Sequence, residues 1–429
     1  MMSITKTLYT GVSGLSAHGR AIGVVGDNIA NINTTGYKSE RALFQDLLGR
    51  SMMAVNLPGS GVKMAAITRE FAQGTLMTTD SPTDLAINGK GFFILRGNLS
   101  GQQGNFYSRA GQFTLDNNGN LVDPQGFLVQ GYLVNSAGVV DNQLTDLSIN
   151  DSILNPEPTT AIDISVNLDS TQTAPAPFDV TAPGSTSNFS TSVNAYDSLG
   201  NEHRVDVYFR RETPDNEWTW HAVVDDGDVG GTAGENREVA SGRLNFTTNG
   251  ELDVETDLTA WTDTFNGASP QTITFDFGDS LTTDGGTGLS GSTQFASGSA
   301  VTSQSQNGYS TGELAGVAIQ SGGDVLAVYT NGEQRIVGQV ALATFEAEGQ
   351  LARAGNSLWM ETQESGEARI GTAASGPAGT ITANALEMST VDLSQEFVNL
   401  ISYQRGYQAN SRTVTTADQM YQEAVNLKR

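Results

Sequence analysis

A five-residue serine motif is the first place in this sequence where residue types and spacing could support catalysis. The run Gly308-Tyr309-Ser310-Thr311-Gly312 has the spacing of a nucleophile elbow, in which a strained turn between a strand and a helix exposes the serine. The residues before it, 303–307, are polar rather than strand-like, and no histidine follows the serine, although hydrolases with this turn place their histidine last. We therefore expect no catalytic residue and no enzyme activity.

An acidic turn is the next candidate, because its side chains could bind a cation. Asp116, Asn118 and Asn120 imitate the start of a calcium loop. Such a loop needs glycine at its sixth position and glutamate at its twelfth, where this chain has Leu121 and Phe127. The sequence therefore predicts a β-turn at this place and no metal site.

The remaining residues that could support chemistry are few. His18, His203 and His221 lack the spacing of metal ligands, which favours structural roles for all three. The chain has no cysteine, so disulfides and thiolate metal sites are excluded, and it has no glycine-rich loop of the kind that binds phosphate. We expect no cofactor.

Both ends of the chain carry a helical repeat of apolar residues instead. Near the N-terminus the stripe alternates steps of four and three residues, at Ile4, Leu8, Gly11, Leu15, His18, Ile22, Val25, Ile29 and Ile32. Near the C-terminus it recurs every seven residues, at Leu386, Leu393, Leu400, Tyr407, Val414 and Tyr421. Neither helix can bury its stripe alone, so the ends must pack against each other, against the rest of the chain or against other copies.

The glycine content of the N-terminal helix bears on that choice. Each glycine inside a helix costs roughly 1 kcal/mol relative to alanine. The N-terminal stripe region contains five of them, at positions 11, 14, 19, 23 and 26. We therefore expect a segment that folds when something packs against it, as in an assembly, although an ordinary intramolecular helix pair remains an alternative.

The charge distribution separates the ends from the middle. The 429-residue chain has a formal net charge of −25, of which residues 1–50 contribute +2 and residues 386–429 contribute −1. Nearly neutral ends can pack densely among copies, whereas the acidic middle repels its neighbours and stays solvated. This balance argues against a nucleic-acid partner. The N-terminus also lacks the apolar core of a cleaved signal peptide, and no window predicts a membrane span.

The middle of the chain reads as short strands separated by turn residues. Two β blocks are visible, the second containing the alternating runs around Val207 and Phe275, followed by a Gly/Ser/Thr-rich stretch, 278–308, that reads as loop or linker. The predicted fold is mixed, with long terminal α-helices forming a coiled-coil-like core and nested, mainly-β domains. The predicted parts are a terminal helical domain (1–35 and 386–429), a connecting segment (36–70), an inner β domain (71–146 and 303–385) and an inserted outer β domain (147–302).

Motifs at both ends resemble one known family. The N-terminal run from Asp27 to Lys38, DNIANINTTGYK, is similar to the N-terminal signature of the bacterial flagellar rod, hook and hook-junction proteins. The C-terminal runs VDLS (391–394) and YQRGYQANS (403–411) resemble that family's second signature. The residues that carry the resemblance are Asn28, Asn31, Gly36, Tyr37, Gln404, Arg405 and Asn410.

The resemblance implies a function and a set of partners. The large middle insertion favours the hook members of the family, subunits that polymerise into a curved tube acting as a universal joint between rod and filament. Polymer contacts are then expected along the terminal helices, at Ile4, Leu8, Leu15, Ile22, Ile29, Leu393, Leu400, Tyr407, Val414 and Tyr421. The implied partners are other copies, the distal rod, the hook cap, the hook-filament junction proteins and the flagellar export apparatus, which would carry the chain outside without a cleaved signal peptide. The alternatives are a distal rod or junction subunit and, in a different class, a secreted acidic adhesin.

Overall fold

The computed structural model describes residues 2–47, 59–135, 138–149 and 153–426. The described chain is mostly β-structure with an α-helix near each end, α1 (Met2–Ala30) and α2 (Leu393–Asn426). The predicted mixed class is confirmed at that level. Contacts divide the chain into unit 1 (Met1–Asn150, Gly316–Val328 and Gln334–Arg429) and unit 2 (Asp151–Ala315 and Tyr329–Glu333).

The outgoing half of unit 1, which we define as Met1–Asn150, follows α1 with a series of strands. They are β1 (Glu40–Asp46), β2 (Val62–Arg69), β3 (Leu76–Thr78), β4 (Leu85–Asn88), β5 (Phe92–Leu99), β6 (Gln102–Ser108), β7 (Thr114–Leu115), β8 (Leu121–Val122), β9 (Leu128–Val134) and β10 (Val140–Asp146). Strands β1 and β2 pair antiparallel, so the predicted connecting segment contains a hairpin. The Ser13 hydroxyl accepts a hydrogen bond from the Val62 amide at 3.1 Å, which ties this hairpin to α1.

Unit 2 is built from an antiparallel sheet and a smaller mixed sheet. Its strands are β11 (Ile153–Leu154), β12 (Ala161–Asn167), β13 (Phe189–Tyr196), β14 (Glu202–Arg211), β15 (Glu217–Asp225), β16 (Asn236–Phe246), β17 (Leu252–Thr259), β18 (Thr274–Asp276) and β19 (Ala300–Gln306). Strands β13 to β17 pair in chain order, and β12 lies between β18 and β19. The alternating runs predicted around Val207 and Phe275 are buried, as expected, in a core that includes Trp218, Trp220 and Trp261.

The chain then returns to unit 1. The returning half of unit 1, Gly316–Val328 with Gln334–Arg429, contains most of the last strands before α2. These strands are β20 (Gly312–Ile319), β21 (Asp324–Tyr329), β22 (Gln334–Thr344), β23 (Ala352–Gly355), β24 (Leu358–Met360), β25 (Arg369–Thr372), β26 (Thr380–Ala383) and β27 (Ala385–Glu387). Strand β22 pairs with β9 and β5, β24 pairs with β6, β26 with β4, and β27 with β3. The sheets of unit 1 therefore need both halves.

Short turns with a shared geometry connect many of these strands. The Asp116 carboxylate accepts hydrogen bonds from the amides of Asn118 and Asn120, both at 2.8 Å, and Gly119 takes a φ of 80°. Asp197 organises its turn in the same way, with Gly200 at a φ of 84°. Only glycine adopts this conformation without strain. The acidic turn is thus a β-turn, as predicted, and its carboxylate is occupied by backbone amides.

Two predicted boundaries are wrong. Residues 303–315 belong to unit 2 rather than to the returning half, because β19 pairs with β12 and continues the smaller sheet. The same strand occupies part of the predicted linker 278–308. The C-terminal helix begins at Leu393 and not at 386, because residues 385–387 form β27 and bury Leu386 against β3. Asp392 caps α2, its carboxylate accepting a hydrogen bond from the Ser394 amide at 2.8 Å.

A half-buried carboxyl group makes the stability of unit 2 depend on pH. Burial, and then the nearby Asp276, Asp257 and Asp284 carboxylates, raise the pKa of Glu255 to about 8. Folding therefore favours the protonated form, and this contribution is full below the ordinary pKa of about 4.3 and is lost as the pH rises towards 8. We expect the thermal midpoint of unit 2 to fall between about pH 5 and pH 8. Glu255→Gln should flatten that slope in calorimetry.

The test compares the pH dependence of the thermal midpoint in the wild type with that in Glu255→Gln. All other titratable groups are present in both and cancel in the comparison. Equal slopes for the wild type and Glu255→Gln would contradict the prediction.

Candidate functional site

The residues that could have supported catalysis do not form a catalytic site. Ser310 lies directly before β20, so a strand follows it where an elbow needs a helix, and its carbonyl accepts a hydrogen bond from the Asn331 side chain at 2.7 Å. His203 and His221 each stack on a phenylalanine ring and pair with carboxylates. Within the described ranges, no group of three or more histidine, aspartate or glutamate side chains is arranged to hold a metal ion.

None of the helices in the described part of the chain is both long and apolar enough to span a membrane.

The two terminal helices pack against each other in antiparallel orientation. A Cβ atom added at Gly11 would lie 2.7 Å from the Val414 side chain, and one added at Gly14 would lie 2.6 Å from Cγ of Asn410. Further along α1, the Asn28 side chain donates a hydrogen bond to Glu396 at 3.1 Å. As residue numbers rise along α1, those of its partners on α2 fall. Glycine at the first two positions leaves room for the Val414 and Asn410 side chains, which would have to shift if either glycine carried a side chain.

In a further contact between the helices, the glycine lies on α2 and the larger side chain, His18, lies on α1. The His18 ring lies against Gly406, where an added Cβ would come within 2.7 Å of the ring. The rings of Phe44 and Tyr403 flank it, with centroids 5.4 and 6.1 Å away. The Nδ1 atom of His18 is buried without a hydrogen-bond partner in the described chain. His18 therefore has a packing role, in agreement with the structural role expected from its spacing.

The buried face of α1 is rotated from the predicted stripe. Its fully buried residues are mostly small, namely Gly11, Gly14, Ala17, Ala21, Val24, Val25 and Asn28. Gly11 and Val25 of the predicted stripe belong to this buried face, whereas its other large apolar residues within the helix lie on the flank and are half-buried: Leu8, Leu15, Ile22 and Ile29. The side chain of Ile4 falls outside the described part of the chain. Small residues face α2 because they allow the closest approach of the two backbones.

The predicted stripe of α2 faces α1 only in part, through Val414, which lies opposite Gly11, and Tyr407, whose ring lies near Gly19. Leu393, Tyr407 and Tyr421 are exposed, whereas Leu400 and Val414 are half-buried. The other residues of α2 that approach α1 are more polar and include Glu396, Asn399, Tyr403, Gly406 and Asn410. Whether the five stripe residues make polymer contacts stays a prediction.

Apolar side chains that the sequence stripe did not include add to the exposed face of α2. Phe397 is 46% exposed and Ile401 is 49% exposed, and they are one helical turn apart. Val398 and Met420 are exposed as well. We call Leu393, Phe397, Val398 and Ile401 the apolar face of α2. The signal in the sequence was the i, i+4 spacing of Leu393, Phe397 and Ile401, which a seven-residue repeat alone does not detect.

Motif residues at the root of the helices form a buried polar network. Asn28 is fully buried, and its side-chain oxygen accepts hydrogen bonds from the Glu40 amide at 2.9 Å and the Tyr37 hydroxyl at 3.3 Å. Its side-chain amide donates to the Glu40 carbonyl at 2.8 Å as well as to Glu396. One asparagine thereby joins α1, β1 and α2. Burial is the main cause that raises the pKa of Tyr37, which keeps its hydroxyl a donor.

The turn that ends α1 contains two more motif residues. The Asn31 side chain donates to the Asp27 carbonyl at 2.8 Å and accepts from the Thr34 hydroxyl at 3.0 Å. Gly36 has a φ of 67°, and an added Cβ would lie 2.6 Å from the backbone of Arg109. This glycine ends the turn that follows α1, whose helix stops at Ala30.

The motif residues of α2 lie in two environments. Asn410 is half-buried opposite Gly14, and its side-chain amide donates to the Gly406 carbonyl at 2.8 Å. Gln404 and Arg405 are exposed. The structure thus brings Asn28, Tyr37 and the α1 turn together at the helix root, and it places Asn410 in the helix interface. It leaves Gln404 and Arg405 at the surface.

A buried ion cluster beside this root was missed by the sequence analysis. The ammonium of Lys38 lies 2.7 Å from Oε1 of Glu387, and the guanidinium of Arg109 lies 3.4 Å from Oε2 of the same residue. No spacing in the sequence links residues so far apart. The signal available was that Lys38 ends the N-terminal motif.

Family models match this architecture piece by piece. The N-terminal residues 8–38 match the flagella basal body rod protein model, and residues 382–427 match the C-terminal model of the flagellar basal body rod FlgEFG proteins. Residues 86–168 match the flagellar hook protein FlgE/F/G D1 domain, and residues 167–309 match the flagellar basal body protein FlaE D2 domain.

Whole proteins with similar sequences are flagellar hook proteins FlgE. That of Salmonella typhimurium is 38% identical over 97% of this chain and 98% of its own length. That of Borreliella burgdorferi is 33% identical over 99% of both chains. The crystal structure of Helicobacter pylori flagellar hook protein FlgE2 has a similar fold, with a TM-score of 0.50, 15% identity, and coverage of 73% of this chain and all of that one. The chain therefore belongs to the flagellar hook protein family, and it is a structural subunit of the hook.

Proposed function

We propose that this chain polymerises into the hook through its terminal helices, which pack against those of other copies in a coiled-coil-like core. The single observation that carries this is the apolar face of α2, exposed on a helix whose other side already contacts α1. Each large apolar side chain stabilises a contact by about 1.5–3 kcal/mol when it is buried. A second copy of the same chain is the partner that a homopolymer supplies.

The charge distribution supports a layered tube in which the helices line the core and unit 2 lies outermost. The two ends are nearly neutral, so many copies can pack together there without strong repulsion. The acidic residues concentrate between the ends, where solvent can screen them. In this arrangement the middle layer is the β-structure of unit 1. The curved tube then acts as a universal joint.

The same proposal names the other partners and the route of export. A tube between rod and filament meets the distal rod at one end and the hook-filament junction proteins at the other, and it grows beneath a hook cap. The subunits reach the outside through the flagellar export apparatus without a cleaved signal peptide.

Limited proteolysis of the dilute chain and of its polymer tests this proposal. We expect the polymer to protect both terminal helices at least tenfold longer than the monomer does, because assembly buries them. Electron microscopy of the same polymer should show curved tubes. Equal cleavage of the ends in both states would contradict assembly through the helices, and straight tubes would favour a distal rod subunit instead.

A further inference from the structure

The buried ion cluster at the root of the helices removes three charged side chains from water. The side chains of Lys38 and Glu387 are 0% exposed, and that of Arg109 is 2% exposed. Oε1 of Glu387 also accepts hydrogen bonds from the Gly74 amide at 2.8 Å and the Gln73 side chain at 3.0 Å. One carboxylate therefore compensates two buried cations and two further donors.

The positive and the negative side chains of this cluster come from different halves of unit 1. Both cations, Lys38 and Arg109, belong to the outgoing half of unit 1. Glu387 belongs to the returning half, as does Glu348, whose negative charge also acts on both cations. The negative charges that compensate Lys38 and Arg109 in this cluster therefore come from the returning half.

Burial without that carboxylate is strongly unfavourable for the cations. Burial lowers the pKa of Lys38 and of Arg109, whereas Glu387 acts in the opposite direction on both. Breaking a buried ion pair by removing one partner typically costs several kcal/mol, because the other charge is left uncompensated. The outgoing half cannot bury Lys38 and Arg109 at low cost until Glu387 is present.

The backbone around Glu387 also joins the outgoing half of unit 1 to the returning half. Its carbonyl accepts a hydrogen bond from the Gly36 amide at 2.7 Å, directly after the turn that ends α1. Strand β27, which contains Glu387, pairs with β3, and α2 begins six residues later. The cluster therefore closes where the exit from α1 meets the approach to α2.

We propose that Glu387 is an electrostatic latch that keeps unit 1 open until the C-terminal part of the chain arrives. Before it arrives, Lys38 and Arg109 lack a compensating carboxylate, which opposes folding of the outgoing half. After it arrives, unit 1 closes and the roots of both helices are joined in one step. For a chain that passes through the export apparatus, which rests on the proposed function, the latch delays folding of unit 1 until both Glu387 and the two cations are outside.

Refolding of the unassembled full-length chain tests the latch. Pulse-labelling hydrogen exchange should show the amides of β5 and β6 becoming protected in the same phase as the Gly36 amide. Glu387→Gln should lower the folding equilibrium constant of unit 1 by about 10²- to 10³-fold, which corresponds to the usual cost of breaking a buried ion pair. Protection in unit 2 should be unchanged, which provides an internal reference.

A triple variant distinguishes the cost of uncompensated buried charge from the cost of lost packing. Lys38→Met with Arg109→Met and Glu387→Gln removes the cations together with their partner, so we expect it to recover unit 1 to within about tenfold of the wild type. A triple variant no more stable than Glu387→Gln would overturn the latch, as would stable protection of β5 and β6 while the Gly36 amide still exchanges. These measurements use monomer, so a chain that shows the latch yet fails to polymerise would count against the proposed function alone.

Discussion

Replacing Phe397 and Ile401 together with aspartate is expected to abolish polymerisation while the β-structure stays folded. Both side chains are about half exposed in the single chain, so the substitution removes little internal packing. In a polymer it would bury two unpaired carboxylates in place of two apolar contacts, each contact contributing about 1.5–3 kcal/mol. We expect the critical concentration for assembly to rise by more than about a hundredfold, measured by sedimentation.

A matched substitution in unit 2 provides the control. Leu258 is an exposed apolar residue of β17, so Leu258→Asp makes the same chemical change outside the terminal helices. That variant should polymerise like the wild type, and both variants should keep the β signal in circular dichroism. Normal assembly of the Phe397/Ile401 variant would show that the apolar face of α2 is not a polymer contact. Loss of its β signal would mean that the face is needed within the chain.

Replacing Gly14 with leucine is expected to separate the two terminal helices. The added side chain would occupy the space of Asn410, whose side-chain amide is held by the Gly406 carbonyl. Leucine has the better intrinsic helix propensity by nearly 1 kcal/mol, so α1 by itself should not be weakened. Overpacking typically costs about 1–3 kcal/mol, and here it acts on the Asn410 side chain in the interface between the helices. We expect assembly to be lost, with faster proteolysis of both ends.

Gly23 gives the matched control for this variant. An added Cβ there would meet no atom within 4 Å, so Gly23→Leu makes the same substitution on the same helix in open space. Its ends should be cleaved no faster than those of the wild type in the monomer. If Gly14→Leu and Gly23→Leu behaved alike, the close approach at Gly14 would not hold the helix pair together.

The parts of the fold that depend on local sequence were predicted well. Both terminal helices, the alternating strand around Val207 and the turn at Asp116 follow from spacing and residue type within a few neighbours. The apolar stripe of α2 and the helical part were begun one repeat early, at Leu386, because Leu386 continues the helical spacing and nothing local shows that it pairs with Met77 of β3.

The candidate site was predicted only in part. The heptad repeats located both helices but not the faces that meet, because a pattern of large apolar residues cannot reveal that Gly14 and Asn410 allow a closer approach. The motif pointed to Asn28 and Tyr37, which do share a buried network. It did not show that Lys38, at the end of the same motif, pairs with Glu387.

By itself, the sequence determined the class of this protein, its terminal helices, its acidic middle and the family it resembles, since each of these depends on composition or on residues close together along the chain. Only the tertiary structure decided which helix faces are in contact, which apolar residues remain exposed and which charges are buried together. The physical reason is that these properties depend on contacts between residues hundreds of positions apart. Helix packing distance and the desolvation of Lys38, Arg109 and Glu387 exist only once those residues are brought together.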